Sequence, residues 1–273
     1  MSRLVLRCCL LLGYGLLFAP IAVIVLFSFN DPAGRFNLVW RQPTAANWLD
    51  PLSDPGLTGA FITSLLLALA ASAVATVLGS LMAYALVRYR CRGERVVNLL
   101  LVLLLTTPEV VMGVSLLNLF VQLGVQRGLG TLLVSHSLFC LSFVALTVKA
   151  RLGGIDWNLE DAAMDLGARP GRVFRLITLP RILPGVLAAA LLSFSLSLDD
   201  VIVSSFTAGE AVTFPLYIAG AFQREISPQI HVLATMVLVA SVAMLAAGSL
   251  RQLGVSSRFR APASFARGSG SSG

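Results

Sequence analysis

The sequence predicts an all-α membrane protein with six spanning helices, on three observations. Hydrophobic residues make up 57% of the 273 residues against 12% charged, and the mean hydropathy is +0.86, far from the balance of a water-soluble domain. Six apolar runs are each long enough to cross a hydrocarbon core of about 30 Å, which takes roughly 20 helical residues. The basic residues between those runs fall almost entirely on one side.

The runs lie near Cys8 to Phe29, Ala60 to Val87, Val96 to Leu123, Leu132 to Val148, Ile182 to Phe206 and Val232 to Leu250. Each is expected to be a helix, because a lone apolar segment in lipid must satisfy its backbone internally. The first follows Arg3 and Arg7 as a secretory signal would, but it is longer, and Ala19-Pro20-Ile21-Ala22 makes a poor cleavage site. It is therefore expected to stay as an anchor. With the N-terminus inside, only Arg35, Arg41, Arg127 and Arg224 of the 20 Lys and Arg fall in outside segments, so both termini are expected in the cytoplasm. The net charge of +7 is explained by this asymmetry and by contact with anionic lipid, and no nucleic-acid partner is implied.

Cysteine chemistry adds little. Cys8, Cys9 and Cys91 lie near the cytoplasmic face and Cys140 within the fourth span, with no CxxC pair. The outside loop from Asn30 to Gly59 carries Trp40 and Trp48, which suit either a partly ordered cap over the outer mouth or an interfacial aromatic belt. The closing Gly268 to Gly273, GSGSSG, reads as a flexible linker or a cloning remnant. The expected organisation is an N-terminal helix and outer loop (1–57), a core (58–252) and a cytoplasmic tail (253–273) whose end is disordered.

One polar interval carries helical order. In EDAAMDLGARPGRVFRLITLP, Glu160 to Pro180, Asn158 is placed to cap a first helix, with Asp161 three residues on as a relaxed capping box, and Gly167 stops it. Pro170 opens a second helix with Val173, Phe174 and Ile177 on one face and Arg172 and Arg175 on another, and Pro180 and Pro184 punctuate the entry to the fifth span. A plain connection needs only a few residues. Adjacent Ala162 and Ala163 let the first helix press into a groove, so the hairpin is expected to dock a partner.

This segment resembles the EAA loop of ABC importer permease subunits. The family pattern is Glu-Ala-Ala, three residues, Gly, nine residues, Ile, one residue, Leu-Pro; this chain has Asp161-Ala162-Ala163, Gly167, Ile177 and Leu179-Pro180 in that spacing, with Glu160 beside the shortened acid. The resemblance implies a type I ABC importer permease (MetI-like) fold, in a bacterial inner membrane, with a coupling helix within 150–181 seated in a cleft of a separate ATPase. Lys149, the only lysine, follows Thr147-Val148 rather than the glycine of a P-loop, so the chain has no Walker A motif of its own. It is expected to be a transport subunit and not an enzyme, with no catalytic residues and no cofactor of its own, ATP and Mg being held by the partner.

Charges inside apolar spans are functional candidates by default. Here they are Glu109, after the potential kink at Pro108, and Asp199 and Asp200 toward the outer end of the fifth span; an acidic path suits a cationic solute. The aspartate pair divides between helix-end or packing roles and solute contact. TTPEVVMGVSLL from Thr106, SLSLDDVIVSSF from Ser195 and TFPLYIAGAFQREISPQIHVLATMVL from Thr213 resemble the permeases of spermidine and putrescine importers, in particular the second permease of a putrescine system. That resemblance implies a homologous permease as partner in a heterodimer, an ATPase dimer and a periplasmic solute-binding protein. It also places a gating helix after Pro215. Polyamines take carboxylates and aromatic faces, for which Phe214, Tyr217 and Phe222 are candidates.

Other readings are weaker. Related permeases for amino-acid-like compounds or ferric iron share much of the pattern. A secondary transporter would use the acids but has no use for the hairpin. His136 and Cys140, one turn apart, lack a nearby carboxylate ligand in sequence and make a poor metal site.

Overall fold

The structure is a computed structural model, described over residues 3–34, 36–89, 93–223, 226–239 and 242–243. Arg35, Arg90, Cys91, Arg92, Arg224, the tail 253–273 and residues 240, 241 and 244–250 of the sixth expected span lie outside the described residues. The helices are α1 (Arg3–Phe27), α2 (Ala46–Leu49), α3 (Pro55–Arg88), α4 (Glu94–Thr106), α5 (Glu109–Gln122), α6 (Leu129–Leu152), α7 (Asn158–Asp165), α8 (Pro170–Val173), α9 (Leu179–Asp199), α10 (Ile202–Thr207), α11 (Phe214–Ala221) and α12 (Pro228–Val239). Among the described residues no strand forms beyond two isolated bridges. The contacts divide the chain into two units, residues 54–224 and residues 1–53 with 225–273.

The larger unit is built on α3, α6 and α9, which pack on one another. Its core includes Ala75, Met112, Leu116, Val144, Val148, Leu152 and Ile182. Small residues set the helix spacing, as in other bundles whose helices gain nothing from leaving water. A Cβ on Gly79 of α3 would stand 2.8 Å from Val144 Cγ1 and 3.1 Å from the Ala145 backbone nitrogen of α6, so the backbones meet there.

Four helical stretches are long and apolar enough to span: Val5–Phe27, Pro55–Arg88, Leu129–Leu152 and Pro170–Asp199. The expected third span is instead two helices, α4 and α5, bent by 109° at Thr107-Pro108. The cause is local. Pro108 has no N–H to continue the helix and pushes Thr107 to φ −67°, ψ 129°, outside the helical region. The threonine hydroxyls turn back on the last turn of α4: Thr106 Oγ1 donates to Val102 O (2.9 Å) and Thr107 Oγ1 to Leu103 O (2.6 Å), which also accepts the Thr107 N–H (2.8 Å).

The fifth expected span also differs at both ends. It continues without a break from the second hairpin helix, because α8 runs into α9 through a π-helical turn, Phe174–Thr178, closed by the Leu179 N–H on Phe174 O. The wider turn precedes Pro180, which cannot donate to Leu176, so the helix absorbs the proline instead of stopping. At its C-terminal end the helix stops at Asp199; Asp200 is extended and α10 starts afresh.

In the smaller unit α1 is apolar all round and exposed along its length. The loop after it is ordered by two buried asparagines: Asn30 Nδ2 donates to Asn37 Oδ1 (2.7 Å) and Val39 O (2.8 Å), and Asn37 Nδ2 to Phe27 O (2.9 Å), one of the carbonyls left open at the end of α1. Trp40 meets Phe27 edge-on and Trp48 stacks on Phe29.

Gly79→Leu should force α3 and α6 apart and destabilise the larger unit by about 1–3 kcal/mol, the usual cost of overpacking. Thermal unfolding in detergent checks this, with Gly59→Leu, where nothing lies within 4 Å of the added Cβ, as the control.

Candidate functional site

Two places in the larger unit concentrate polar chemistry: the hairpin between α6 and α9, and a cleft where α5, α6 and the end of α9 meet.

The hairpin begins at α7. Its first turn is closed by Asp156, whose Oδ1 accepts from the Asn158 N–H at 3.1 Å; Asn158 itself lies inside the helix, so the expected Asn158 and Asp161 capping box is replaced by an aspartate two residues earlier. Gly167, at φ +86°, ends it with a full Schellman motif: the Ala168 N–H reaches Ala163 O (3.0 Å) and the Gly167 N–H reaches Met164 O (2.9 Å). Pro170 opens α8 as expected, with Val173 buried and Arg172 and Arg175 exposed.

The two acids at the head of the motif both pair with Arg88 at the end of α3, Glu160 buried and Asp161 at the surface. Arg88 Nε lies 3.2 Å from Glu160 Oε2 and Nη2 lies 2.9 Å from Asp161 Oδ1, while the guanidinium sits 5.4 Å from the centroid of the Trp157 ring. Glu160 is 3% exposed and also accepts from the Thr178 hydroxyl in the π-helical turn. Tyr84 adds an edge contact to Phe174 at 5.1 Å. Arg88 therefore holds the first limb of the hairpin against α3, and Glu160 and Tyr84 hold the second. What this leaves outward is apolar: Leu159 is 43% and Leu166 90% exposed, with Ala162 also exposed between them at helical spacing, and Leu176 on the second limb is 69% exposed. Arg169, Arg172 and Arg175 rim an open cleft of about 850 Å³ beside Gly167 and Leu176. Ile177 and Leu179 are half-buried, and Pro180 is exposed.

The second place is a cleft of about 280 Å³ lined by Glu109, Phe139, Leu196, Asp199, Asp200, Val201 and Ile202. Glu109 and the adjacent Asp199 and Asp200, about 90 residues further along the chain, are thus brought together by two helix breaks, Pro108 before α5 and Asp200 after α9. They are not equivalent. Glu109 and Asp199 are exposed to the cleft, whereas Asp200 is buried and occupied. Its Oδ1 accepts from the Val203 N–H (3.2 Å) and its Oδ2 from the Ser204 N–H (2.8 Å) and Ser204 hydroxyl (2.9 Å), which closes the first turn of α10. His136 stands behind it, Nε2 3.4 Å from Asp200 Oδ2 and 2.9 Å from Ser204 Oγ, with Nδ1 2.8 Å from Ser197 Oγ. Cys140 points elsewhere, to Ser193 O at 3.4 Å. Sequence reasoning found the acids but not their surroundings. Phe139 and the Ser197, Ser204 and His136 set carry no local motif, and Arg88 read only as one more inside charge.

The aromatic candidates lie apart from this cleft. Phe214 meets Phe61 of α3 edge-on at 5.4 Å, the Tyr217 hydroxyl donates to Asp54 at 2.6 Å, and Phe222 is 65% exposed. Asp54 also accepts from the Gly56 and Leu57 N–H groups at the start of α3. Burial pushes its carboxyl up, but the bonds from Tyr217, Leu57 and Gly56 outweigh it and hold it below the ordinary 3.8. That stabilising contribution is present above the ordinary carboxylate range and is lost only as pH falls through the lowered value.

Apolar spans, an acid-lined break between them and an outward apolar hairpin make the build of a membrane transport subunit. Residues 75–255 match the family described as "Binding-protein-dependent transport system inner membrane component". The chain is 41% identical over 238 residues to the spermidine/putrescine transport system permease protein PotC of Escherichia coli (strain K12), covering 87% of this chain and 89% of that one. It is 38% identical over 237 residues to the putrescine transport system permease protein PotI of the same organism, covering 84% of each. A bacterial ABC transporter involved in the import of the acidic polysaccharide alginate superposes with a TM-score of 0.65 at 15% identity, over 92% of this chain and 98% of that one. The methionine ABC transporter MetNI gives 0.55 at 19% identity, over 74% and 98%. The chain belongs to the family of binding-protein-dependent transport system inner membrane components, with the type I ABC importer permease fold.

Arg88→Ala should loosen the hairpin far more than Glu160→Gln. The first strands a buried carboxylate, a change that typically costs about 3–5 kcal/mol, whereas the neutral amide still accepts from Thr178. Hydrogen exchange across residues 156–169 is the measurement, and equal protection in the two variants would remove Arg88 from this role.

Proposed function

We propose that the chain is a membrane-spanning subunit of an ATP-driven polyamine importer, taking putrescine or spermidine, and that it forms half of the translocation path. The observation that carries the ATP-driven part is the hairpin: an apolar stripe of Leu159, Ala162 and Leu166 held outward by the Arg88 clamp and rimmed by arginines. Such a stripe in water is a partner surface. The partner is an ATPase dimer, one copy per coupling loop, and it holds the ATP and Mg. A homologous permease completes the path as a heterodimer, and a periplasmic binding protein delivers the solute. Both termini are cytoplasmic, on the side the basic residues favour.

The polyamine part is supported by two things. Relatives at about 40% identity over most of their length carry spermidine or putrescine transport in their names. Glu109 and Asp199 offer two exposed carboxylates in the cleft that Phe139 also lines, a set suited to an ammonium group. Asp200 serves the fold, holding α10 and His136 so that the other two acids keep their places. In the cycle, ATP binding closes the ATPases and swings the hairpins, which opens the path outward to receive solute; hydrolysis and product release restore the inward state. Competitive uptake into vesicles holding the whole complex, with putrescine, spermidine, an amino acid and ferric iron, tests the solute class. Competition by the amino acid or ferric iron and not by the polyamines overturns it.

Glu109→Gln and Asp199→Asn should each raise the KM for putrescine by about tenfold or more, the cost of losing a charged hydrogen bond. Asp200→Asn should instead lower the thermal stability of the subunit. Wild-type KM in both of the first two variants would exclude the cleft from the path.

Replacing Gly167 with valine should abolish ATP-dependent uptake while the subunit still inserts in the membrane. Its φ of +86° strains any β-branched residue there and spoils the Schellman stop between the limbs. Uptake by membranes with matched subunit levels decides the point.

A further inference from the structure

Both ends of α3 are anchored, and to different parts of the larger unit. Its last residue, Arg88, grips Glu160, Asp161 and Trp157 of the hairpin. Its first turns grip α11: Asp54 takes the Tyr217 hydroxyl at 2.6 Å, Ser64 Oγ accepts the Phe214 N–H at 2.8 Å, and the Phe61 and Phe214 rings meet at 5.4 Å. A Cβ on Gly56 would stand 3.2 Å from the Tyr217 ring, so the ring lies directly on the first turn of α3. Between the anchors α3 is unbroken for 34 residues, roughly 50 Å at 1.5 Å per residue, with its single proline in the first turn, where it does not kink the helix. The neighbouring transmembrane path, α4 to α5, is bent by 109° and could not act as a strut.

We propose that α3 is a rigid strut that carries movement of the hairpin to α11, and that the Asp54 and Tyr217 pair is the latch at its far end. Tyr217 is then a positioning residue that acts through Asp54 rather than a contact for solute. The cost of breaking the latch follows from its chemistry: the hydroxyl donates to a charged acceptor, the stronger kind of hydrogen bond, and the acceptor also closes the first turn of the strut. Motion at the hairpin travels along α3 to α11 only while both anchors hold, because a coupling between distant sites requires an element that both of them bias. The strut rests on the reading of the chain as a subunit of an ATP-driven importer.

The test is ATP-driven putrescine uptake by vesicles holding the whole complex, for Tyr217→Phe, Ser64→Ala, Arg88→Gln and the Tyr217→Phe/Arg88→Gln double variant, with assembly read by co-purification. Tyr217→Phe should lower the maximal rate by about tenfold and leave KM unchanged. Ser64→Ala, which removes only the acceptor of the Phe214 N–H, should act in the same direction and serves if the phenylalanine variant assembles poorly. The double variant should be no more than about twofold slower than Arg88→Gln alone, although effects of independent sites this far apart normally add. Fully additive losses overturn the strut. So does a wild-type rate in both latch variants, and a rise in KM at unchanged maximal rate would make Tyr217 a solute contact instead. Absence of ATP-driven uptake by the wild-type complex is a separate result, which overturns the importer reading beneath it.

Discussion

In hydrocarbon a helix may break only where something else satisfies the backbone it frees, and in this protein that constraint decides where chemistry is possible. At Thr107-Pro108 two threonine hydroxyls fold back on the last turn of α4, and at Asp200 a carboxylate takes up the amides of α10. Each break puts an acid at its edge. The cleft of Glu109, Asp199 and Asp200 is the meeting of the two breaks, and its division into two exposed acids and one buried one follows from Asp200 being the group that repairs the chain.

α3 is the frame on which the rest is set. It meets α6 closely enough at Gly79 to exclude a side chain, it ends in the arginine that receives the hairpin, and it starts at the carboxylate that receives α11. The hairpin owes its outward face to this arrangement. Arg88 pairs with two acids in the first turn of α7 and Glu160 is buried there, which turns Leu159, Ala162 and Leu166 to the outside. A helix with so few apolar residues would not hold that orientation from propensity alone. Ion pair, cation-π contact and the Thr178 hydrogen bond supply it together.

Much of the fold was legible because its signals are local. Apolar runs of spanning length, Gly167 as a left-handed stop, Pro170 as a first helical residue and Pro108 as a break each depend on a few adjacent residues, and the structure has all four. The hairpin spacing was equally local, which is why the family resemblance was visible there. Boundaries were less legible where two local signals compete. Pro180 and Pro184 read as stops, yet a π-helical turn absorbs the first and α9 runs on; Asn158 read as a cap, yet it is the first residue of α7 and its own amide is taken by Asp156.

By itself the sequence determined an all-α membrane chain, the place of its hairpin and the three acids within its spans, since hydropathy, helix-stop chemistry and charge are properties of neighbouring residues. Only the tertiary structure decided which acid is free and which is spent. Asp199 and Asp200 are adjacent and chemically alike, and what separates them is His136, Ser204 and the first turn of α10, groups that reach Asp200 only once α6, α9 and α10 have packed. Arg88 is the same case. Nothing near it in the chain distinguishes it from the other basic residues at the helix ends, and its partners, about 70 residues away, are supplied by the fold.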